Sequence, residues 1–377
     1  MEQSNYKQFV EETFNRVKKE NKDLKKVNFL VVGKSGVGKS TLINTVFGEE
    51  MVHTGVGKPV TNQISLIEQN DFPVRIYDTV GFEIGSLSFD IKGVVKKLKR
   101  NPVQQLIKKV QATESQEDDI HVVWYVISGS GSRIEEAEIS FIKWIVEQKI
   151  PVILVLTKSY DLTEAKLLKK QIEKIVFDAK GIILVLAKES DNQSVFGIEE
   201  LIQTTVNCLP EGLQASFIHS QEASIKVKHN EAMNIVTGAM AANFGTGFSP
   251  ILGADAPAMI ASQSMMITKI TSIYGVDIDK QKIETALAGM LGVYAAMISG
   301  KTIAGGITKM IPGIGTIGGG LISGGVGMVI TGALGFAYME LMELVLKGQV
   351  DLSTTTPEAL TDLLVKLLPN YLPKQAR

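Results

Sequence analysis

Cysteine is nearly missing from this chain of 377 residues, in which Cys208 is the single thiol. One thiol cannot build an internal disulfide framework, so the cytosolic face is the expected compartment. Histidine is scarce as well, four in all and widely scattered. No Cys/His spacing suits zinc, and no conventional nucleophile triad stands out. An excess of charge of either sign is also lacking: 39 Lys and Arg face 40 Asp and Glu, for a net charge of -1. That removes the global basic field that attracts nucleic acid or anionic lipid, and no DNA partner is expected. The opening residues, Met1 to Asn5, hold no apolar run, so a secretory signal is not expected there. Hydrophobic residues form 45% of the chain, enough for the cores of two ordinary domains.

Changes of texture divide the chain. Residues 1–26 are charged, with Tyr6, Phe9, Val10, Thr13, Phe14 and Val17 at helical spacing on one face. This predicts an amphipathic helix that docks on the chain's own core or on a partner. Over 27–212, short apolar runs alternate with helical patterns. The runs are 27–33, 63–69, 73–78, 120–127, 151–157 and 182–187. Several are continuously apolar, as when helices cover both faces of a sheet. Helical patterns between them, such as 134–148 and 163–178, predict βα units and an α/β fold with a mostly parallel six-stranded sheet. Pro210 and Gly212 mark its end. Residues 213–231 read as a helical connector, 232–346 as an all-α, Gly/Ala-rich apolar domain, and 347–377 as a tail with a short helix from Pro357.

The chemistry lies in the α/β part. Gly33-Lys34-Ser35-Gly36-Val37-Gly38-Lys39-Ser40 fits G-x-x-x-x-G-K-[ST], after a strand and before an apolar helix. Glycines let the backbone curl so that several N–H groups point at phosphates. The helix from about Lys39 to Phe47, which includes Thr41, adds its positive N-terminal end. Lys39 is placed to reach the β- and γ-phosphates, and Ser40 to ligate Mg²⁺. Asp78-Thr79-Val80-Gly81 ends a strand: Asp78 can hold Mg²⁺ through water, and the Gly81 N–H can touch the γ-phosphate. Between these motifs, Thr61 in a mobile loop completes the metal shell when a triphosphate is bound. Lys39, Thr61 and Gly81 are therefore the candidate catalytic residues.

The order of P-loop, loop threonine, D-T-V-G and a late Thr-Lys motif resembles G domains of the translation-factor class. Residues 120–158 resemble bacterial GTPases of the HSR1-related group. The resemblance implies GTP and GDP as ligands, Mg²⁺ as cofactor, and hydrolysis of GTP. It also implies a base-reading motif, N/T-K-x-D, which here reads Thr157-Lys158-Ser159-Tyr160-Asp161 with the acid one residue late. Either a one-residue bulge delivers Asp161 to the guanine, or Ser159 substitutes weakly. Ala187 and Lys188 stand where a Ser-Ala-Lys loop contacts guanine O6. Phe82 takes the place of the water-orienting glutamine of Ras-like GTPases, which implies slow intrinsic hydrolysis or a water positioned by another group. Lys34-Ser35 resembles the loop start of septin-like and immunity-related GTPases, which implies a G-domain homodimer. Arg133 reads as a surface arginine or as a catalytic arginine in cis or trans. The insert 83–119 reads as solvated helix faces or as a nucleotide-sensitive partner surface.

Residues 310–339 hold no charge and exceed the roughly 20 residues that span a bilayer as helix. Gly315/Gly319 and Gly320/Gly324 form G-x-x-x-G pairs that permit close helix approach. Stretches 286–300 and 235–254 are also uncharged. The segment around Asp255 and Gln263, with Ile273-Tyr274-Gly275, resembles the membrane-associated domain of the DUF697 type found behind bacterial G domains. The resemblance implies lipid contact through the C-terminal domain, at the cytosolic face, with multi-pass insertion open. The expected function is a membrane-associated GTP switch. Its alternatives are a soluble ribosome-assembly GTPase and a nucleotide-dependent scaffold with very slow hydrolysis.

Overall fold

The computed structural model describes residues 24–48, 51, 58–61, 64–69, 72–79, 101–112, 118–131, 133–176, 178–190, 193–244, 256–276, 282 and 320–372, with Glu11, Asn15 and Lys19. The chain divides into two compact units, residues 24–227 and residues 228–377 together with 1–23.

In the first unit β1 (Val27–Val32) leads to α1 (Lys39–Phe47). Then come β2 (Lys58–Thr61), β3 (Ile64–Glu68), β4 (Val74–Thr79), α2 (Pro102–Gln111) and β5 (Val122–Ser128). The unit continues with α3 (Glu136–Glu147), β6 (Val152–Thr157), α4 (Leu162–Glu173), β7 (Gly181–Leu184), α5 (Ile198–Cys208) and α6 (Glu211–Ser220). One sheet takes all seven strands in the order β2-β3-β4-β1-β5-β6-β7. The six expected strands are present, and β2 is the addition. It pairs antiparallel with β3, which pairs antiparallel with β4. The remaining neighbours, β4-β1-β5-β6-β7, are parallel. Continuous apolar runs make the central strands: every residue of β1 and of β6 is buried, as a sheet covered on both faces requires.

Sequence texture closes the α/β part near 212, whereas the compact unit runs on to Val227. The reason is aromatic. Phe217 of α6 packs on Phe29 of β1 at 5.2 Å between ring centroids, and Phe29 meets Trp124 edge-on at 5.1 Å. Phe47 stacks on Trp124 at 6.0 Å. The buried indole donates to Thr205 Oγ1 at 3.1 Å, satisfying the one polar atom of that ring. Past α6, the Glu222 N–H donates to Val46 O at 2.8 Å.

The second unit contains α7 (Ile225–Phe244) from Lys228 onward, α8 (Ala256–Tyr274), α9 (Gly320–Leu346) and α10 (Pro357–Leu367). Its core is apolar but cross-linked by polar pairs. Asn243 Nδ2 and Gln263 Nε2 both donate to Thr331 Oγ1, at 3.0 and 3.2 Å. Thr271 Oγ1 and Tyr338 Oη lie 2.7 Å apart, and His229 Nδ1 lies 2.7 Å from Glu343 Oε1. Lys228, buried, donates to Ile273 O at 2.9 Å. Close approach comes at glycine: a Cβ at Gly335 would lie 2.6 Å from Val236 Cγ2, and one at Gly332 2.8 Å from Met240 Sδ.

Among the described residues no helix is long and apolar enough to cross a membrane. Residues 286–300, Asp255, the 245–254 end of the third uncharged stretch and the Gly315/Gly319 pair lie outside the described residues. So does the apolar face expected of the N-terminal helix, although Glu11, Asn15 and Lys19 are helical and exposed. Within the 83–119 insert, 83–100 lies outside the described residues, and Asp118 pairs with Arg75 at 3.3 Å.

A pH effect on stability follows from His121, half-buried before β5. The Asn28 N–H donates to His121 Nδ1 at 2.9 Å, so the ring must be neutral there. Burial lowers its pKa below 6.5, against the opposing pull of Asp119. The unfolded chain then binds more protons, and folding stability falls as pH drops below 6.5 until the folded-state pKa is passed. The slope is at most about 1.4 kcal/mol per pH unit for one proton. Urea unfolding from pH 7.5 to 5 should give a shallower slope for His121→Gln, which keeps an acceptor without the titration.

Candidate functional site

The site forms at the carboxyl ends of the central strands, where doubly wound sheets bind ligands. β1 delivers the loop 33–38. A Cβ at Gly33 would meet Val126 O at 2.3 Å, so only glycine passes β5 here. Gly36 and Gly38 take φ of +75° and +98°, the left-handed region in which glycine carries no steric penalty. Val37 packs inward, while Ser35 and Gly36 are exposed. Helix α1 then starts at Lys39 with Ser40 and Thr41 exposed in its first turn.

Lys39 is 7% exposed, and its ammonium donates to Gly33 O at 2.9 Å and to Lys34 O at 3.0 Å. Burial lowers its pKa, and the neighbouring Asp78 works the other way. Asp78, at the end of β4 and 6% exposed, has its carboxyl pKa raised by burial against the pull of Lys39. Its Oδ1 is buried without a hydrogen-bond partner. An orphan carboxylate oxygen beside the hydroxyl-bearing start of a helix is the oxygen donor chemistry that Mg²⁺ takes, commonly through water. The residues present fit that ion.

The Lys34 side chain is engaged within the protein. Its ammonium lies 2.6 Å from Glu135 Oε1 and 3.2 Å from Glu138 Oε2. Burial acts to lower its pKa, but the bonds to these two carboxylates outweigh it and the pKa is raised. The two glutamates form the capping box of α3. The Lys34 side chain thus ties the loop to that helix, which leaves its backbone for phosphate.

β6 delivers Thr157 and Lys158. Buried Thr157 Oγ1 donates to Val37 O and also lies within hydrogen-bond distance of Ile127 O, at 3.1 Å. The Lys158 ammonium donates to Gly36 O at 2.6 Å, so its stem crosses the loop. Thr45 Oγ1 of α1 donates to Ala187 O at 3.0 Å, which fixes the 186–188 loop beside the same helix; Lys188 is exposed. Gly33 to Thr41, Asp78, Thr157, Lys158 and Ala187 are therefore brought together.

Other expectations fare differently. Thr61 ends the strand β2, paired with Ile64, in place of the expected mobile loop; its side chain lies outside the described residues. Gly81 and Phe82 also lie outside them. Arg133 is exposed. Asp161 caps α4: its Oδ1 accepts from Thr163 N at 2.7 Å and Glu164 N at 3.1 Å. Sequence reading missed Ser130, whose Oγ donates to Lys158 O at 2.7 Å, and Gln193, whose Nε2 donates to Tyr160 O at 2.8 Å. Gly129-Ser130 at the end of β5 was the available signal for the first. Gln193 had none, because it is distant in sequence.

A P-loop on the central strand, an aspartate on its neighbour and a Thr-Lys pair two strands away define a P-loop G domain. Residues 24–210 match the septin family model. Over 147 residues the chain is 29% identical to Cell division control protein 10 of Saccharomyces cerevisiae, covering 33% of this chain and 45% of that one. Over 185 residues it is 30% identical to GTPase Era of Carboxydothermus hydrogenoformans, covering 48% and 55%. The chain spans about half the length of these curated relatives. A solved structure of a probable GTP-binding protein engB aligns with a TM-score of 0.35 at 22% identity, over 48% of this chain and 98% of that one.

Lys39→Ala removes the buried cation that lies under the loop beside Asp78. Fluorescent GTP analogue titration should show affinity lowered at least about 100-fold, the order expected when a charge-assisted contact is lost. An unchanged dissociation constant would contradict this role.

Proposed function

We propose that the chain is a GTP-binding switch that hydrolyses GTP to GDP and works at a membrane through its C-terminal unit. The observation that carries the nucleotide reading is the pair Lys39 and Asp78, buried together beside a loop whose Gly36 and Gly38 take left-handed backbone. In this reading the N–H groups of 34–39 cradle the phosphates. Lys39 exchanges its loop carbonyls for phosphate oxygens and stabilises charge that develops there as the terminal phosphoryl departs. Asp78 and Ser40, with Thr61, would hold Mg²⁺, which when bound neutralises phosphate charge. Gly81 would donate its N–H to the γ-phosphate. Thr157 and Lys158 hold the loop in shape against that charge.

The uncharged segment 310–339 supports the membrane reading. The 41% identity over 71 residues to Small ribosomal subunit biogenesis GTPase RsgA of Clostridium novyi keeps a ribosomal role as the alternative, and Phe82 keeps the slow scaffold.

Single-turnover hydrolysis at rising protein concentration separates the switch from the scaffold, and co-sedimentation with ribosomal subunits tests the ribosomal role. A rate that climbs with concentration supports a G-domain dimer that completes the site, and a flat, very slow rate supports the scaffold. Flotation with liposomes, in GDP and in a non-hydrolysable GTP analogue, is expected to bring the protein up with the lipid. Protein left at the bottom in both states would rule out the membrane role.

A further inference from the structure

The base-reading loop holds an inconsistency between register and chemistry. In the T-K-x-D pattern the fourth residue presents a carboxylate to the base, and in this chain the fourth residue is Tyr160. Lys158 takes φ +53°, and Tyr160 N donates back to Lys158 O at 2.8 Å in a tight three-residue turn. Ser159, at the apex, is fully buried, with its hydroxyl donating to Leu156 O at 2.7 Å. A Cβ on Gly129 would come within 2.4 Å of that hydroxyl, so glycine follows β5 where Ser159 turns inward.

The next side chain to emerge is Tyr160, 49% exposed. Ser130 holds the turn from one side through Lys158 O, and Gln193 holds it from the other through Tyr160 O. Leu162 and Val195, also exposed, follow closely on the two segments that Gln193 joins. Asp161 is occupied elsewhere, its Oδ1 taken by two N–H groups of α4.

We propose that Tyr160, rather than Asp161, meets the nucleobase, and that the site does not select for the 2-amino group of guanine. This rests on the nucleotide-binding reading above and concerns its specificity. A carboxylate at the base edge accepts from N1–H and from the 2-amino group together, which makes guanine preferred. A phenol offers a flat face that stacks on any purine and a single hydroxyl that donates or accepts. Affinity for the base then comes from stacking, which is tolerant of the base's edge. Tyr160 acts by direct contact, and Asp161 is a helix cap.

The test is competition binding of GTP, inosine triphosphate and xanthosine triphosphate to the full chain and to three variants. The wild-type protein is expected to bind GTP and inosine triphosphate within about twofold of each other. Tyr160→Ala should weaken both about tenfold; the residue is exposed, so folding is not at risk. Asp161→Asn, which retains a capping side chain, should leave GTP affinity unchanged and gain no preference for xanthosine triphosphate. Asp161→Ala should lower the melting temperature without changing the ratio of GTP to inosine triphosphate. The inference is overturned if GTP binds tenfold tighter than inosine triphosphate in the wild-type protein. It is equally overturned if Asp161→Asn turns preference toward xanthosine triphosphate. Failure to bind any of the three triphosphates would instead remove the nucleotide-binding reading, and this inference with it.

Discussion

The G-domain unit is organised around two opposite charges kept almost dry. Lys39 and Asp78 are each nearly buried, and neither is stable there alone. Lys39 is compensated by two loop carbonyls and by Asp78, whose own carboxyl lacks a partner at Oδ1. That arrangement is poorly satisfied as a piece of core and well suited as a receptor for phosphate and cation. The strands exist to hold it. β1 and β4 pair from Val27↔Val74 to Val31↔Asp78, so the register fixes Asp78 against the strand that feeds the loop. Slipping that register by one residue would turn Asp78 to the other face of the sheet.

A second tier of contacts keeps the loop in one shape before any ligand arrives. Thr157 bonds Val37 O, Lys158 bonds Gly36 O, and Lys34 pairs with the capping box of α3. These come from α3 and the end of β6, consecutive elements that both lie far along the sequence from the loop. A loop held from two sides gives up less conformational entropy on binding. Preorganisation of this kind is how a phosphate site stabilises charge that develops during transfer.

The helical unit follows a different logic. Its glycines at 332 and 335 let helices touch, and its core is pinned by Asn243, Gln263 and Thr331 and by Thr271 with Tyr338. Buried polar pairs of this kind reward one mutual arrangement of the helices and penalise others, because a slipped helix strands an unpaired group. Composition alone read these helices as apolar, since Asn, Gln and Thr carry no charge and interrupt a hydropathy pattern only slightly.

The residues alone determined the six apolar strands, the P-loop with Lys39 and Ser40, and Asp78 at a strand end. Each depends on local spacing: a period, a glycine pattern, or a residue at the end of a run. Partner choice was decided by tertiary structure. The G unit extends through α6 because Phe217 reaches Phe29. Lys34 serves α3, Thr61 belongs to an added edge strand, and Asp161 caps a helix while Tyr160 stays exposed. A side chain that can bind phosphate, carboxylate or backbone takes whichever group the fold brings within about 3 Å, and sequence spacing does not encode that distance.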